Sequence, residues 1–227
     1  MSASKLVLYN SIVCPFAQRA RMALDEVKAV YETVEIDLAN KPSWYGEVNP
    51  DLKVPALKIN DKAIAESMVL IELVNDLYPE AKLLPDDPVK RAEGRFAIEF
   101  YGSKILPHLY SLLRNPDQKE TFVHEMDTAY KRFNELLLEQ STEGPYFYGD
   151  KFSLVDIAIA PFAGRFNALL EMAFEKGYQF SSVQSSPRLA AYLNSIVDRP
   201  SFKRSYFGNQ AFIDSMTRRF NFPVVKH

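Results

Sequence analysis

The sequence predicts an α/β domain followed by an all-helical domain. Three observations predict it. Short apolar runs of β type alternate with helical spacing before about residue 80. The stretch EAKLLPDDPVK then crowds two prolines and two aspartates together, and no strand pattern follows it. The expected layout is an α/β domain at 1–80, a linker at 81–92 and a helical domain at 93–227.

Taken in order, KLVLY (5–9) is a buried strand and PFAQRARMALDEVK (15–28) a helix. Pro15 suits a first helical position, where its missing N–H would have no partner anyway. VYETVEIDL (30–38) is a strand of imperfect alternation, with Val30, Glu32, Val34 and Ile36 on one face. Strand, helix and strand with tight joints make a βαβ unit with parallel pairing. KVPALKI and AIAES flank Asn60 and Asp61 as a hairpin. ESMVLIELVNDLYP puts Val69, Leu70, Leu73, Val74 and Leu77 at helical spacing, and Pro79 ends it. The order β-α-β, then β-β-α, is the thioredoxin-type arrangement.

In the second half, VKRAEGRFAIEFYGSKILPHLYSLL and DQKETFVHEMDTAYKRFNELLLEQ are long amphipathic helices. FSLVDIAIAPF opens a buried helix whose start is well marked. Ser153 and Asp156 are spaced as N-cap and N3 partner, and Phe152 and Ile157 as a hydrophobic staple. Helices near 187–198 and 208–220 complete the domain.

Composition bounds the function. Apolar residues are 47% and charged residues 25% of the chain, at a net charge of −2. This is globular composition without the basic block that a nucleic-acid partner needs. One cysteine cannot form an internal disulfide, which favours a reducing compartment, and the expected location is cytoplasmic. No apolar run reaches bilayer length, so no membrane partner is expected. The three histidines, His108, His124 and His227, form no metal-ligand spacing, and no metal is expected.

That single cysteine, Cys14, falls in the loop feeding the first helix. Backbone N–H groups and the helix dipole favour an anion there, and a thiolate is the nucleophilic form of cysteine. Arg19 and Arg21 add positive charge in the following turns. The competing reading is a small inert core residue. CPFA carries alanine where a C-x-x-C dithiol has its second cysteine, so any disulfide at Cys14 joins another molecule.

CPFAQRAR, NKPSWY, KVPAL, ES before a helix, LLPDDP and FSLVDIAIAPF run in that order from residue 14 to 162. In these motifs the chain resembles the glutathione transferases, above all the omega class and the related lambda class of plants. The resemblance implies the fold of that family, a thioredoxin-like N-terminal domain plus an all-α C-terminal domain. It makes Cys14 the catalytic residue and Phe16 the aromatic beside the thiol. It assigns Lys41 to the glycine carboxylate of glutathione and the backbone of Val54 to its cysteinyl part. Pro55 becomes the family's cis-proline, and Glu66 with Ser67 holds the γ-glutamyl end. Glutathione, with two carboxylates and one ammonium, suits such a set. Ser67, read as the cap of the third helix, offers an anion site.

The implied activity is a monothiol transferase or reductase that removes glutathione from mixed disulfides or reduces small disulfides or dehydroascorbate. Its partners would be glutathione, as co-substrate, and a small hydrophobic or glutathionylated second substrate. For the second substrate, a cleft between domains is expected. Tyr101, Phe162, Arg165 and Phe166 lie on candidate walls, although their helical spacing favours the core. Omega members are commonly dimers and lambda members commonly monomers, so the resemblance leaves assembly open between the two, with a homodimer as the favoured expectation. The alternative function is a non-catalytic carrier of glutathione and small aromatic ligands, and a membrane-inserting protein of the intracellular chloride-channel type is remote.

Overall fold

The computed structural model describes residues 5–225; residues 1–4 and 226–227, with His227 and the outer ends of both expected domains, lie outside the described residues. The strands are β1 (Leu6–Asn10), β2 (Glu32–Glu35), β3 (Ala56–Ile59) and β4 (Lys62–Ala65). The helices are α1 (Pro15–Glu26), α2 (Tyr45–Val48), α3 (Ser67–Leu77), α4 (Pro88–Phe100), α5 (Leu106–Arg114) and α6 (Lys119–Gln140). They continue with α7 (Leu154–Ala173), α8 (Ser181–Gln184), α9 (Pro187–Asp198), α10 (Pro200–Ser205) and α11 (Asn209–Phe220). Contacts divide the chain into two units, Met1–Leu84 with Arg199–Tyr206, and Pro85–Asp198 with Phe207–His227.

The first unit holds one mixed sheet of order β2-β1-β3-β4. β1 pairs parallel with β2, Leu8 beside Thr33, and antiparallel with β3, Leu8 beside Leu57. Leu8 and Leu57 are fully buried, as are Ala17, Ala23 and Leu24 of α1. The alternation expected over 30–38 yields only the four residues of β2. Val30 is 90% exposed, and after Ile36 the Asp37 carboxylate accepts the Ala39 N–H at 2.9 Å and turns the chain away. β3 and β4 form the expected hairpin, with Asn60 at a φ of 55° in its turn.

Two expectations about α3 shift. Its buried face is Leu70, Ile71 and Val74, while Val69 and Leu77 are exposed. Two adjacent apolar stripes run along this helix, and only packing on α1 and the hairpin selects one of them. Ser67, expected as the cap, is instead the first helical residue; Glu66 occupies the cap position with a φ of 71°. α10 also belongs to this unit. Arg199 forks onto the Glu26 carboxylate at 3.0 and 2.7 Å, and Gln18 donates to Ser205 Oγ at 3.2 Å.

The second unit is built around α7, buried along nearly its whole length. Its N-terminus is locked as the spacing predicts. The Asp156 carboxylate accepts the Ser153 N–H at 2.7 Å, the Ser153 hydroxyl at 2.8 Å and the Phe147 N–H at 2.9 Å. α4 reaches α7 closely at Gly94, where a Cβ would overlap the Tyr148 hydroxyl and lie 2.9 Å from Val155 Cγ2. The long helix expected over 89–113 is divided into α4 and α5 by a π-helical turn at Tyr101–Ile105. Pro107 follows that turn, and a proline ring clashes with the carbonyl four residues earlier in a regular helix. Tyr101, Phe162, Arg165 and Phe166 are all buried in this unit. No helix of the described residues is long and apolar enough to cross a membrane.

Candidate active site

The loop between β1 and α1 brings Cys14 into position. The Glu35 carboxylate of β2 accepts from Asn10 Nδ2 at 2.5 Å and from the Ile12 N–H at 3.1 Å, pinning both ends of the loop's first half. The Cys14 N–H then closes a turn onto the Ser11 carbonyl at 2.9 Å. Cys14 is the N-cap residue of α1, in extended backbone with φ −84° and ψ 119°, and Pro15 is at the first helical position. Its carbonyl accepts the Gln18 N–H, the first bond of the helix.

The sulfur is mostly covered. Cys14 is 8% exposed and shares a buried cluster with Tyr9, Ala17, Ile36, Tyr45, Val54 and Ala56. Its thiol donates to the Val54 carbonyl at 3.8 Å. The Val54–Pro55 bond is cis, at the entry to β3. The segment before it is fixed by two donors on one carbonyl: Tyr45 Oη and Asn49 Nδ2 reach the Lys53 oxygen at 2.7 and 2.8 Å. Burial pushes the Tyr45 hydroxyl up to about 12, a hydrogen bond with Asn49 opposes this, and the nearby Tyr9 and Cys14 charges add to it. Tyr45 is thus a neutral donor near the thiol at neutral pH.

α3 supplies the second half of the site. Ser67 is buried, and its hydroxyl accepts from the Arg19 guanidinium at 3.3 Å. The same guanidinium lies 5.5 Å from the centre of the Phe16 ring. Arg19 therefore ties α1 to α3. Two residues on, Arg21 faces the Tyr31 hydroxyl, which donates to the Asp25 carboxylate at 2.8 Å. Glu66 is exposed beside Ser67, with its carbonyl accepting the Leu70 N–H at 2.9 Å. A non-glycine residue at positive φ is uncommon and clusters at functional positions.

Of the residues expected from sequence, Cys14 and Val54 touch, and Phe16 and Ser67 meet through Arg19. Lys41 is exposed between β2 and α2, with no hydrogen bond or ion pair to the others. No spacing in the sequence marks Glu35, Tyr45 or Asn49 as supports of the site. Tyr45 sits inside the NKPSWY motif, which gave the only hint. Ile12, Val13, Phe16 and Trp44 are 39–44% exposed. Three of them flank the thiol in sequence. Among the described residues no group of three or more His, Cys, Asp or Glu side chains could hold a metal ion.

This arrangement, a lone cysteine at a helix N-terminus facing the Val54 carbonyl just before a cis-proline, sits in a sequence with clear relatives. The family model described as Glutathione S-transferase, N-terminal domain, matches residues 8–82, and that for the C-terminal domain matches residues 95–205. The chain belongs to the glutathione S-transferase family. It is 31% identical over 219 residues to glutathione S-transferase L3 of Arabidopsis thaliana, across 94% of this chain and 87% of that one. It is 32% identical over 165 residues to glutathione S-transferase omega-1 of Sus scrofa, covering 71% of this chain and 67% of that one. The crystal structure of glutathione transferase Omega 1C from Trametes versicolor superposes with a TM-score of 0.80 at 34% identity, covering 99% of this chain and 100% of that one. The fold of this transferase is that of its family: a thioredoxin-like unit with a four-stranded mixed sheet, and a helical unit. The family binds glutathione, and lambda and omega members are both among this chain's relatives.

Proposed function

We propose that this transferase is a glutathione-dependent thiol transferase and reductase of the omega type that works through Cys14 alone. The observation that supports this is the position of its single cysteine, at the N-cap of α1 with Pro15 behind it and the Val54 carbonyl in front. In the resting enzyme the thiol donates to that carbonyl. Loss of the proton breaks the bond, leaves a thiolate at the positive end of the α1 dipole, and frees the Val54 oxygen for the cysteinyl N–H of glutathione.

The thiolate attacks the glutathionyl sulfur of a mixed disulfide. A bond forms between Cys14 Sγ and that sulfur while the original S–S bond breaks, and the departing thiolate takes up a proton. A second glutathione thiolate attacks the Cys14 mixed disulfide, forming oxidised glutathione and restoring the Cys14 thiolate. With dehydroascorbate as acceptor, two glutathiones supply the two electrons. Lys41 takes the glycine carboxylate, Val54 the cysteinyl backbone, Ser67 the γ-glutamyl carboxylate and Glu66 its ammonium; Phe16 and Pro55 wall the sulfur. The exposed Ile12, Val13 and Trp44 favour an apolar second substrate. The enzyme acts as a homodimer in the cytoplasm, an assembly that sedimentation at two concentrations tests.

Cys14→Ser tests the chemistry. Turnover of a glutathionylated peptide and of dehydroascorbate drops to background, and the glutathionyl adduct that mass spectrometry finds on the unaltered protein disappears. A variant rate near that of the unaltered protein overturns the monothiol mechanism. Glutathione binding without turnover in the unaltered protein would point to a carrier.

A further inference from the structure

We propose that the second unit carries a binding site of its own for a small aromatic cation, a protonated or quaternary aromatic amine, in the cavity between α6, the end of α7, α8 and α9. The cavity measures about 580 Å³, within the size range of small-molecule sites. No described residue of the first unit lines it, so Cys14 and the glutathione set take no part. Its lining is apolar within and acidic at the rim. Tyr130, Phe166 and Phe180 are buried, and Leu170 and Leu193 half-buried. The charged residues are Glu171, Glu175 and Lys176, all exposed, two carboxylates against one ammonium. A third carboxylate, Asp127, stands near enough that its charge adds to burial in pushing the Tyr178 hydroxyl up. Net negative charge around a cleft draws a cation in and repels an anion.

The rings suit that charge. Phe174 stacks on Tyr178 at 4.3 Å, and Phe180 meets Tyr178 edge-on at 5.7 Å. The protein already places a cation of its own on this cluster: the Lys119 ammonium lies 5.4 Å from the centre of the Phe174 ring. A ring face attracts a cation through its quadrupole, and the half-buried Tyr178 keeps area open to the cavity. The wall is also built in advance. Asp127 accepts the Ser182 N–H at 2.8 Å, the Ser182 hydroxyl at 2.6 Å and the Ser181 hydroxyl at 2.8 Å, which fixes α8 to α6. The Tyr178 N–H closes a turn onto the Glu175 carbonyl at 3.0 Å, and Asn209 Nδ2 donates to the Glu171 carboxylate at 2.9 Å. A wall fixed before binding lowers the ordering cost that a ligand must offset.

Thioflavin T, a cationic aromatic dye, and anilinonaphthalene sulfonate, an anionic one, separate recognition of charge from general apolar binding. Fluorescence titration reads both affinities, calorimetry the stoichiometry and circular dichroism the folding of Glu175→Gln, Glu175→Lys and Tyr178→Leu. The unaltered protein binds one thioflavin T per chain and prefers it to the sulfonate. Glu175→Gln and Tyr178→Leu each weaken the cation about three- to tenfold, the worth of one contact of a cation with a carboxylate or a ring. Glu175→Lys weakens it further, while sulfonate affinity holds or rises. Added salt weakens the cation because the rim charges are open to water. Saturating glutathione leaves the dye in place. A preference for the sulfonate, displacement of thioflavin T by glutathione, or a folded Glu175→Lys that binds the cation as tightly as the unaltered protein overturns the proposal and leaves the reading of Cys14 intact.

Discussion

Replacing Asp156 by alanine tests what holds the start of α7, the central helix of the second unit. The carboxylate is fully buried and accepts the Ser153 N–H, the Ser153 hydroxyl and the Phe147 N–H. The hydroxyl can rotate to another acceptor; the two amides cannot. A buried donor left unsatisfied costs about 1–3 kcal/mol, so the two amides lose about 2–6 kcal/mol together. Removing a buried carboxylate returns part of that, for a net loss of about 3 kcal/mol. In a chain of 227 residues this lowers Tm by about 6–12 °C in calorimetry. Ser153→Ala leaves the carboxylate able to accept both amides and costs about 1 kcal/mol. Burial raises the Asp156 carboxyl to about 6 from 3.8, against the hydrogen bonds of Phe147 and Ser153. Between about pH 3.8 and about 6 the native state therefore holds a proton that the unfolded state has lost. Stability of the unaltered protein relative to Asp156→Asn falls as pH rises from about 3.8 to about 6. A Tm loss below about 2 °C for Asp156→Ala, near the effect of under 1 kcal/mol, would refute the hydrogen-bond accounting.

Two further predictions follow from contacts within single units. Gly94→Ala drives a Cβ into the Tyr148 hydroxyl and toward Val155, breaking the 2.7 Å bond from Tyr148 to the Lys90 carbonyl. Overpacking of this kind lowers the urea midpoint by an amount worth about 1–3 kcal/mol. Glu26→Gln removes the forked ion pair that ties α10 to α1. Burial works to raise the Glu26 carboxyl, but Arg199 and Ser201 hold it below its ordinary 4.5. Its contribution is therefore present above about pH 4.5 and lost as pH falls through the depressed value. The stability gap between the unaltered protein and Glu26→Gln, about 1 kcal/mol for a pair partly open to water, closes in acid titrations.

Much of the fold was legible because local rules govern it. Pro15 marks the start of α1 because a first-turn proline loses no hydrogen bond, and this placed Cys14 at a helix N-terminus from sequence. The Ser153–Asp156 box and the Asn60 turn are likewise decided within four residues. The glutathione set came from resemblance to a family, since nothing local in NKPSWY or KVPAL specifies a ligand. Alternation by itself predicts a longer β2 than the four residues that form, because it continues past the point where Asp37 turns the backbone.

Local periodicity determined where the four strands and most of the long helices lie, where the α/β part gives way to helices, and that the lone thiol begins a helix; the short helices α2, α8 and α10 carry too few residues to show a period. Neighbours in the chain suffice for that, through propensity, capping and spacing. Tertiary structure alone decided which stripe of α3 is buried, that Arg199–Tyr206 returns to the first unit, and that Arg19 reaches Ser67. It also decided that Cys14 faces the carbonyl of Val54. Those partners are 40 to 48 residues apart, and only closure of the chain on itself brings a donor within reach of its acceptor.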